Sequence, residues 1–251
     1  MGKADNSRSK TTPRVPVVYT MGKVGSSTIS NSILSSGLGC HDIHTLDPKA
    51  LIAKLQNSAE NEVFPEPHYC VSMAWRERLF TKPARCFYIS AVRDPVERNL
   101  SAFFQNLSVF GYDPGEGLGA RELFAKFMTN YSHNQPITWF DREWKRHLGI
   151  DVYSLPFSKK ERFFSSKGVC IFRLDCSIEK IGEILSSELN HEIRVERANA
   201  AADKDYAELY KPVKEIAAFT PEYLDSMYDT EFARHFWTED ELALFRQKWL
   251  S

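Results

Sequence analysis

The sequence predicts an α/β protein: a parallel β-sheet flanked by helices, with extra helices at the C-terminal end. Short apolar runs typical of buried strands lie at about residues 15–21, 41–46, 69–74, 86–92 and 169–175. Helical apolar patterns separate most of these runs and lie at about 26–36, 48–59 and 95–108. Strands that alternate with helices form βαβ units, whose parallel sheets are covered by helices on both faces.

The second half of the chain is predicted to be mainly helical. Helical patterns fall at about 120–132, 139–148 and 177–189, and again after 206 and after Thr238. Thr238 followed three residues later by Glu241 is a capping box that predicts the start of the last helix. Glycines and polar residues indicate loops at 111–119 and 198–205. We interpret residues 1–14 as a disordered tail and residues 15–251 as one domain.

Composition excludes several classes of protein. The hydrophobic fraction is 43%, which is enough for a substantial core, and the net charge is −1. A near-neutral balance argues against a nucleic-acid partner. No run reaches the roughly 20 apolar residues of a membrane span, and the polar N-terminus lacks the apolar core of a signal peptide. The five cysteines are scattered, and we expect buried thiols, no disulfide and no zinc site. We therefore expect a cytoplasmic protein.

The first functional motif is a predicted strand–loop–helix at residues 17–36. Backbone N–H groups at such a turn and the N-terminus of the helix bind anions. Lys23 adds a positive charge early in the loop, whereas the ATP-type pattern places its lysine late and is absent here. The candidate anion ligands are the lysine, the following backbone and three hydroxyls: Lys23, Val24, Gly25, Ser26, Ser27 and Thr28.

The second motif follows the predicted strand 86–92. Asp94 and Pro95 are typical of a helix N-terminus, and Glu97 completes a capping box. Arg93 therefore lies where the strand ends, and Ser101 lies about two turns into the helix. An arginine at this position can hold a phosphate through two parallel hydrogen bonds, and a serine hydroxyl can donate to the same anion.

Together the two motifs resemble those of sulfotransferases that use 3′-phosphoadenosine 5′-phosphosulfate (PAPS). The shared features are Lys-x-Gly-x-x-Thr at residues 23–28 and Arg-Asp-Pro with a serine eight residues after the arginine. The stretches 139–153, 199–210 and 235–237 are similar to a subgroup of bacterial sulfotransferase-like proteins, some described as capsular polysaccharide synthesis proteins. The resemblance covers roughly residues 15–250 and implies a P-loop-type sheet.

The resemblance implies roles for the two motifs. Residues 23–28 would hold the 5′-phosphosulfate, and Arg93 with Ser101 would hold the 3′-phosphate. Lys23 would also stabilise the leaving phosphate oxygen, and 3′-phosphoadenosine 5′-phosphate would be the product. We expect no metal. His44, at the end of the second predicted strand, is the preferred general base, and His41 is the alternative; on an ideal strand they would face opposite sides.

The acceptor side is less specified by the sequence. We expect a small molecule or a saccharide with a hydroxyl or amine group. The main candidate contacts are His41, Trp139 and Asp141, and the Trp139 ring could stack on the acceptor. Phe140 and Glu143 are further candidates. The oligomeric state is not predicted.

Two alternatives stay open from the sequence. One is a P-loop nucleotide kinase, for which the run Val169–Asp175 supplies an apolar strand ending in an aspartate. The other is a non-catalytic nucleotide-binding protein of polysaccharide assembly. Dependence on magnesium distinguishes the kinase from the sulfotransferase.

Overall fold

A computed structural model describes residues 14–81, 86–112, 117–196 and 206–250. Several predicted features lie outside the described residues: the N-terminal tail at 1–13, the tip of the 111–119 loop and the break at 198–205. The stretch 199–210, which is similar to the sulfotransferase-like subgroup, is described only from Tyr206 onwards. The structure confirms the predicted fold class, an α/β protein with a five-stranded, mostly parallel sheet, flanking helices and extra C-terminal helices.

The sheet has the strand order β2-β1-β3-β5-β4. The strands are β1 Val15–Tyr19, β2 His41–Ile43, β3 Cys86–Val92, β4 Phe163–Ser166 and β5 Val169–Arg173. Strands β2, β1, β3 and β5 pair in parallel, and β4 pairs antiparallel with β5. The carboxyl ends of four strands therefore lie along one edge of the sheet, which is where open α/β sheets bind ligands.

Eleven α-helices are present in the described part of the chain. They are α1 Ser26–Ser35, α2 Pro48–Glu60, α3 Pro67–Thr81, α4 Pro95–Gln105, α5 Ala120–Asn130, α6 Gln135–Phe140, α7 Ile178–Leu189, α8 Ala207–Ile216, α9 Pro221–Tyr228, α10 Glu231–Phe236 and α11 Glu239–Trp249. A π-helical segment, Asp141–Leu148, continues α6. Several helices begin as the sequence predicts: Asp94 caps α4 ahead of a proline, and the Thr238–Glu241 capping box starts α11.

The predicted strand at 69–74 is wrong, because these residues belong to α3. Ser72 and Trp75, three residues apart, are buried, whereas Cys70 is exposed. That spacing is helical, and the apolar run was too short to distinguish a strand from a helix. Arg76 and Arg78 also lie on this helix, and Arg76 donates to the Leu46 carbonyl at 2.9 Å.

Strand β4 was not predicted from the sequence. Lys167 and Gly168 form the turn between β4 and β5, and their φ angles of 52° and 85° are both positive. A two-residue hairpin turn of this kind needs positive φ at both positions. Its sequence signal, a lysine before a glycine, is weaker than the asparagine or aspartate usually found there.

The C-terminal helices are attached to the sheet by buried polar side chains. The Asp94 carboxylate accepts hydrogen bonds from the Tyr228 hydroxyl at 3.0 Å and the Trp249 indole at 3.1 Å. Arg173, 2% exposed at the end of β5, is bound by Asp175 and Glu241. These contacts place α9 and α11 beside the carboxyl ends of β3 and β5. None of the helices in the described ranges is both long and apolar enough to cross a lipid bilayer.

Candidate functional site

Three candidate residues follow the carboxyl ends of three adjacent parallel strands. His44 directly follows β2, Arg93 directly follows β3, and Lys23 lies four residues after β1, which runs between them. The sheet topology thus brings the predicted base and both predicted anion motifs to one edge.

The loop from Thr20 to Gly25 has an unusual backbone. Gly22, Lys23 and Gly25 have φ angles of 73°, 62° and 87°. The left-handed conformation costs a non-glycine residue roughly 1–2 kcal/mol, and such strain often marks functional loops. A Cβ atom added at Gly25 would lie 2.9 Å from Leu174 Cδ1, so the Leu174 side chain would have to move in addition to the strain of the positive φ.

Arg98 holds this loop in place and was missed by the sequence analysis. Its guanidinium, 3% exposed, donates to the Met21 carbonyl at 2.6 Å and to the Gly22 carbonyl at 3.3 Å. It also donates to the Tyr131 hydroxyl at 2.7 Å. Helix α4, which follows the Arg93 motif, therefore fixes the shape of the Lys23 loop. The two predicted anion motifs form one connected structure.

The start of α1 follows the loop. Gly25 occupies the N-cap position, no side chain caps this helix, and its first turn has no acidic residue. An anion near this end would be favoured by the helix dipole and the N–H groups of the first turn. Ser27 is exposed there, whereas the Val24 side chain is in the core, so that Val24 can offer only its backbone. Thr28 donates its backbone N–H to the Gly25 carbonyl at 3.1 Å.

The Lys23 ammonium is directed towards α8. It donates to the Tyr206 hydroxyl at 3.1 Å. One turn further along α8, Tyr210 lies in the field of Arg93: burial raises the pKa of the Tyr210 hydroxyl, and the charge of Arg93 partly offsets that rise. Tyr206 and Tyr210 thus connect the two predicted anion motifs. Ser101, 8% exposed on α4, is not part of this set of contacts.

His44 is held in an orientation that suits a base. Its Nδ1 atom lies 3.0 Å from the Thr20 carbonyl oxygen. Because a carbonyl only accepts hydrogen bonds, Nδ1 is assigned the proton, and Nε2 of the neutral ring is then an acceptor. The Trp139 indole donates to the His44 carbonyl at 3.2 Å and so fixes the backbone here.

A half-buried carboxylate lies beside this histidine. Asp42 Oδ1 is 4.0 Å from His44 Nδ1, and Asp42 Oδ2 accepts from the Ser30 hydroxyl at 3.3 Å. Burial raises the pKa of Asp42, while His44, Ser30 and Ser26 act in the opposite direction. Ser26, the first residue of α1, therefore links the start of this helix to the surroundings of His44. A negative charge at Asp42 would stabilise a protonated His44.

His41 has different surroundings. Its ring packs edge-on against Trp75 of α3 at 4.9 Å, and burial followed by the charge of Arg78 lowers its pKa. The His44 ring also contacts α3, at His68, with a centroid separation of 5.3 Å. The expectation that the two histidines face opposite sides of the sheet is therefore wrong. His44 lies beyond the end of β2, so its side chain does not follow the alternation of side chains along the strand.

The candidate acceptor residues lie in different environments. Trp139 is 2% exposed and packs edge-on against Tyr19, so its ring offers no free face. Glu143, 6% exposed, accepts hydrogen bonds from the Thr45 hydroxyl at 2.7 Å and the Leu46 N–H at 2.8 Å. It positions the segment after His44. Asp141 is exposed at the start of the π-helical segment.

Arg93 is embedded in a group of charges. Its Nη2 atom lies 3.5 Å from Glu97 Oε2, and its side chain is 19% exposed. Its Nε atom is buried and has no hydrogen-bond partner among the described residues. Burial works against ionisation of Glu97, but the charge of Arg93 and a hydrogen bond from Lys214 lower the pKa of this carboxyl to about 2. The Arg93 Nε atom is thus a donor without an acceptor among the described residues, while Arg93 Nη2 lies beside the ionised Glu97 carboxylate.

Comparisons of the chain with protein-family models, with curated proteins and with solved structures find no match. The resemblance to sulfotransferases therefore rests on the motifs at residues 23–28 and 93–101 and on the later stretches similar to the subgroup.

Proposed function

We propose that this protein is a PAPS-dependent sulfotransferase that modifies a hydroxyl or amine of a small molecule or saccharide. The observation that supports it best is that the two candidate anion motifs follow adjacent strands β1 and β3, while His44 follows β2 with its Nδ1 atom bonded to the Thr20 carbonyl, so that Nε2 would be available as an acceptor. A nucleotide with two separated phosphates would use both elements, and the histidine would act between the nucleotide and the acceptor.

The donor set suits such a nucleotide. The loop ending at Gly25 and the uncapped start of α1 would receive the 5′-phosphosulfate, together with the Lys23 ammonium. Arg93 would receive the 3′-phosphate, and its buried Nε, which has no hydrogen-bond partner among the residues that the structure describes, supplies a donor for that purpose. An unpaired buried donor costs roughly 1–3 kcal/mol, which an anion would recover.

PAPS, when bound, supplies the sulfuryl group, and the residues of this chain position it and manage the proton. His44 Nε2 would take the proton from the acceptor hydroxyl as its oxygen forms a bond to sulfur and the bond from sulfur to the 5′-phosphate oxygen breaks. Lys23 would stabilise the negative charge that develops on that leaving oxygen. Asp42 would stabilise the resulting imidazolium. His44 returns its proton to solvent after product release.

The kinase alternative has less support from the site. Its candidate magnesium ligand, Asp175, is bound by the Arg173 guanidinium through hydrogen bonds of 2.9 and 2.6 Å and lies 3.7 Å from Arg162. A carboxylate that is neutralised by two arginines is a poor cation ligand.

The proposal is tested by sulfuryl transfer from labelled PAPS to a panel of hydroxylated, amine-bearing and saccharide acceptors, in the presence of a chelator. We expect label in at least one acceptor and a loss of about 10²–10⁴-fold in turnover for His44→Ala, the usual contribution of a general base. His41→Ala is the control and should keep most activity. Transfer of phosphate from labelled ATP that requires magnesium would support the kinase instead. Nucleotide binding with no transfer to any acceptor would support the non-catalytic alternative.

A further inference from the structure

Glu97 is surrounded by three cations from three different elements. Its Oε1 atom lies 2.5 Å from Lys214 Nζ of α8 and 3.3 Å from Lys248 Nζ of α11, and its Oε2 atom lies 3.5 Å from Arg93 Nη2. The side chains of Arg93 and Glu97 are only 19% and 20% exposed. Such partly buried charges are screened less by solvent than surface ion pairs are.

This cluster has more positive than negative charge. One carboxylate balances only one of the three cations. Asp94, the other carboxyl of this region, is already used by the Tyr228 hydroxyl and the Trp249 indole, and burial raises its pKa. Even a fully ionised Asp94 would leave an excess of one positive charge. The cluster therefore attracts a further anion.

One face of α8 connects this cluster to the Lys23 loop. Tyr206, Tyr210 and Lys214 are spaced four residues apart, so they lie on one side of the helix. Tyr206 bonds Lys23, and Lys214 bonds Glu97. The two ends of this row are about 12 Å apart at 1.5 Å per residue. Tyr210 lies between them, and the charges of Arg93 and Lys214 both act on its hydroxyl.

Two buried hydrogen-bonding groups, one in this row and one beside it, lack a well-aligned hydrogen bond. They are the Tyr210 hydroxyl and Arg93 Nε, and no acceptor or donor in the described ranges aligns well with either. The Arg93 guanidinium is nevertheless close enough to the Tyr210 oxygen to interact with it and lower the pKa of that hydroxyl. Buried polar groups without partners are rare in folded proteins and call for an explanation, such as a ligand. Both could donate to the oxygens of one anion.

We propose that Lys214 is a specificity-determining residue of the proposed nucleotide site. It favours a nucleotide that carries a 3′-phosphate on its ribose over a nucleotide that lacks this phosphate. Glu97 holds the Lys214 ammonium beside Arg93 while no anion is bound. When the phosphate enters, Lys214 shares its ammonium hydrogens between Glu97 and the phosphate oxygens, and Arg93 Nε and Tyr210 donate to the same group. This inference rests on the proposed function.

The experiment compares Lys214→Met with Lys211→Met, a matched variant of an exposed lysine on the same helix. Calorimetry measures the Kd of 3′-phosphoadenosine 5′-phosphate and of adenosine 5′-phosphate, which lacks the second phosphate. For Lys214→Met we expect the Kd of the bisphosphate to rise roughly 10- to 100-fold, the range for loss of a charged hydrogen bond. The Kd of the monophosphate should change less than about twofold. Lys211→Met should leave both unchanged, and Lys214→Arg should restore most of the bisphosphate affinity.

Different failures have different meanings. An equal loss of affinity for both nucleotides in Lys214→Met, or an equal loss in Lys211→Met, would overturn the role of Lys214 and leave the proposed function standing. Unchanged bisphosphate affinity in Lys214→Met would do the same. A wild-type protein that binds the bisphosphate no more tightly than the monophosphate would overturn both the proposed function and this inference.

Discussion

Replacing Arg98 with leucine tests whether α4 determines the shape of the loop from Thr20 to Gly25, which we propose binds an anion. The guanidinium is 3% exposed and donates to the carbonyls of Met21 and Gly22 and to the Tyr131 hydroxyl. Arg98→Leu leaves these groups without their donor in a buried site. At about 1–3 kcal/mol for each unpaired group, with partial relaxation, we expect a loss of roughly 3–5 kcal/mol in the free energy of unfolding.

The matched control is Arg173→Leu. Arg173 is 2% exposed and bonds the Phe236 carbonyl and the carboxylates of Asp175 and Glu241, which are 51% and 26% exposed; it does not touch the loop. For a domain of this size, 1 kcal/mol corresponds to about 2–4 °C in Tm. Arg98→Leu should therefore melt about 6–20 °C below the wild-type protein, and Arg173→Leu should lose less, because solvent reaches the two carboxylates that it leaves unpaired.

The assay is thermal unfolding with and without 3′-phosphoadenosine 5′-phosphate. A ligand at 100 times its Kd stabilises a protein by about 2.7 kcal/mol, or about 5–11 °C here. Arg173→Leu should keep this ligand-induced shift, whereas Arg98→Leu should lose most of it, because the loop carbonyls and N–H groups are no longer held in place. A normal shift in Arg98→Leu would refute the claim that Arg98 organises the site.

Three further predictions concern the loop and the arginine. Gly25→Ala should lose more stability in thermal melts, and more nucleotide affinity in calorimetry, than Gly22→Ala. Both glycines have a positive φ, but only a Cβ atom at Gly25 would meet Leu174. Equal effects of the two substitutions would contradict the role of that contact. Lys23→Gly should be about 1 kcal/mol more stable than Lys23→Ala, because glycine relieves the left-handed backbone, while both lack turnover. Arg93→Ala should weaken bisphosphate binding by about 1.5–3 kcal/mol, and a Kd within about twofold of wild type would contradict its assignment.

The sequence predicted those parts of the fold that depend on local signals. The strand at 86–92 matches β3 because an apolar run ends directly before an Asp-Pro helix start. The N-caps of α4 and α11 follow from side chains that bond their own backbone. Local signals failed at α3, where a short apolar run was read as a strand, and at β4, a short edge strand with weak turn residues.

The candidate site was predictable only where its residues adjoin the strand ends. Lys23, His44 and Arg93 follow from chain position, because parallel strands bring their carboxyl ends together. Arg98 was not predictable, since its partners are backbone carbonyls distant in sequence, and an arginine on a helix ordinarily reads as a surface residue. The structure shows why Arg98 has these partners: most residues of α4 are buried, so that a charge within it needs hydrogen-bond acceptors.

The buried polar contacts of Asp42 and Glu143 were also not predictable. Asp42 lies within a strand-like run, where the sequence does not reveal that its carboxylate lies beside His44 and Ser30. Glu143 was named as a further candidate acceptor contact, and the sequence does not reveal that it bonds the segment after β2. In both cases the partner comes from another element, and only the packing of the two elements reveals the pairing.

The central claim is that one site receives two separated phosphates without a metal. Calorimetry in the presence of a chelator tests it most directly, with 3′-phosphoadenosine 5′-phosphate, adenosine 5′-phosphate and ATP as ligands. We expect the bisphosphate to bind at least tenfold more tightly than the other two, because it alone presents a phosphate to both Lys23 and Arg93. Equal affinity for ATP, or binding that appears only when magnesium is added, would contradict the account.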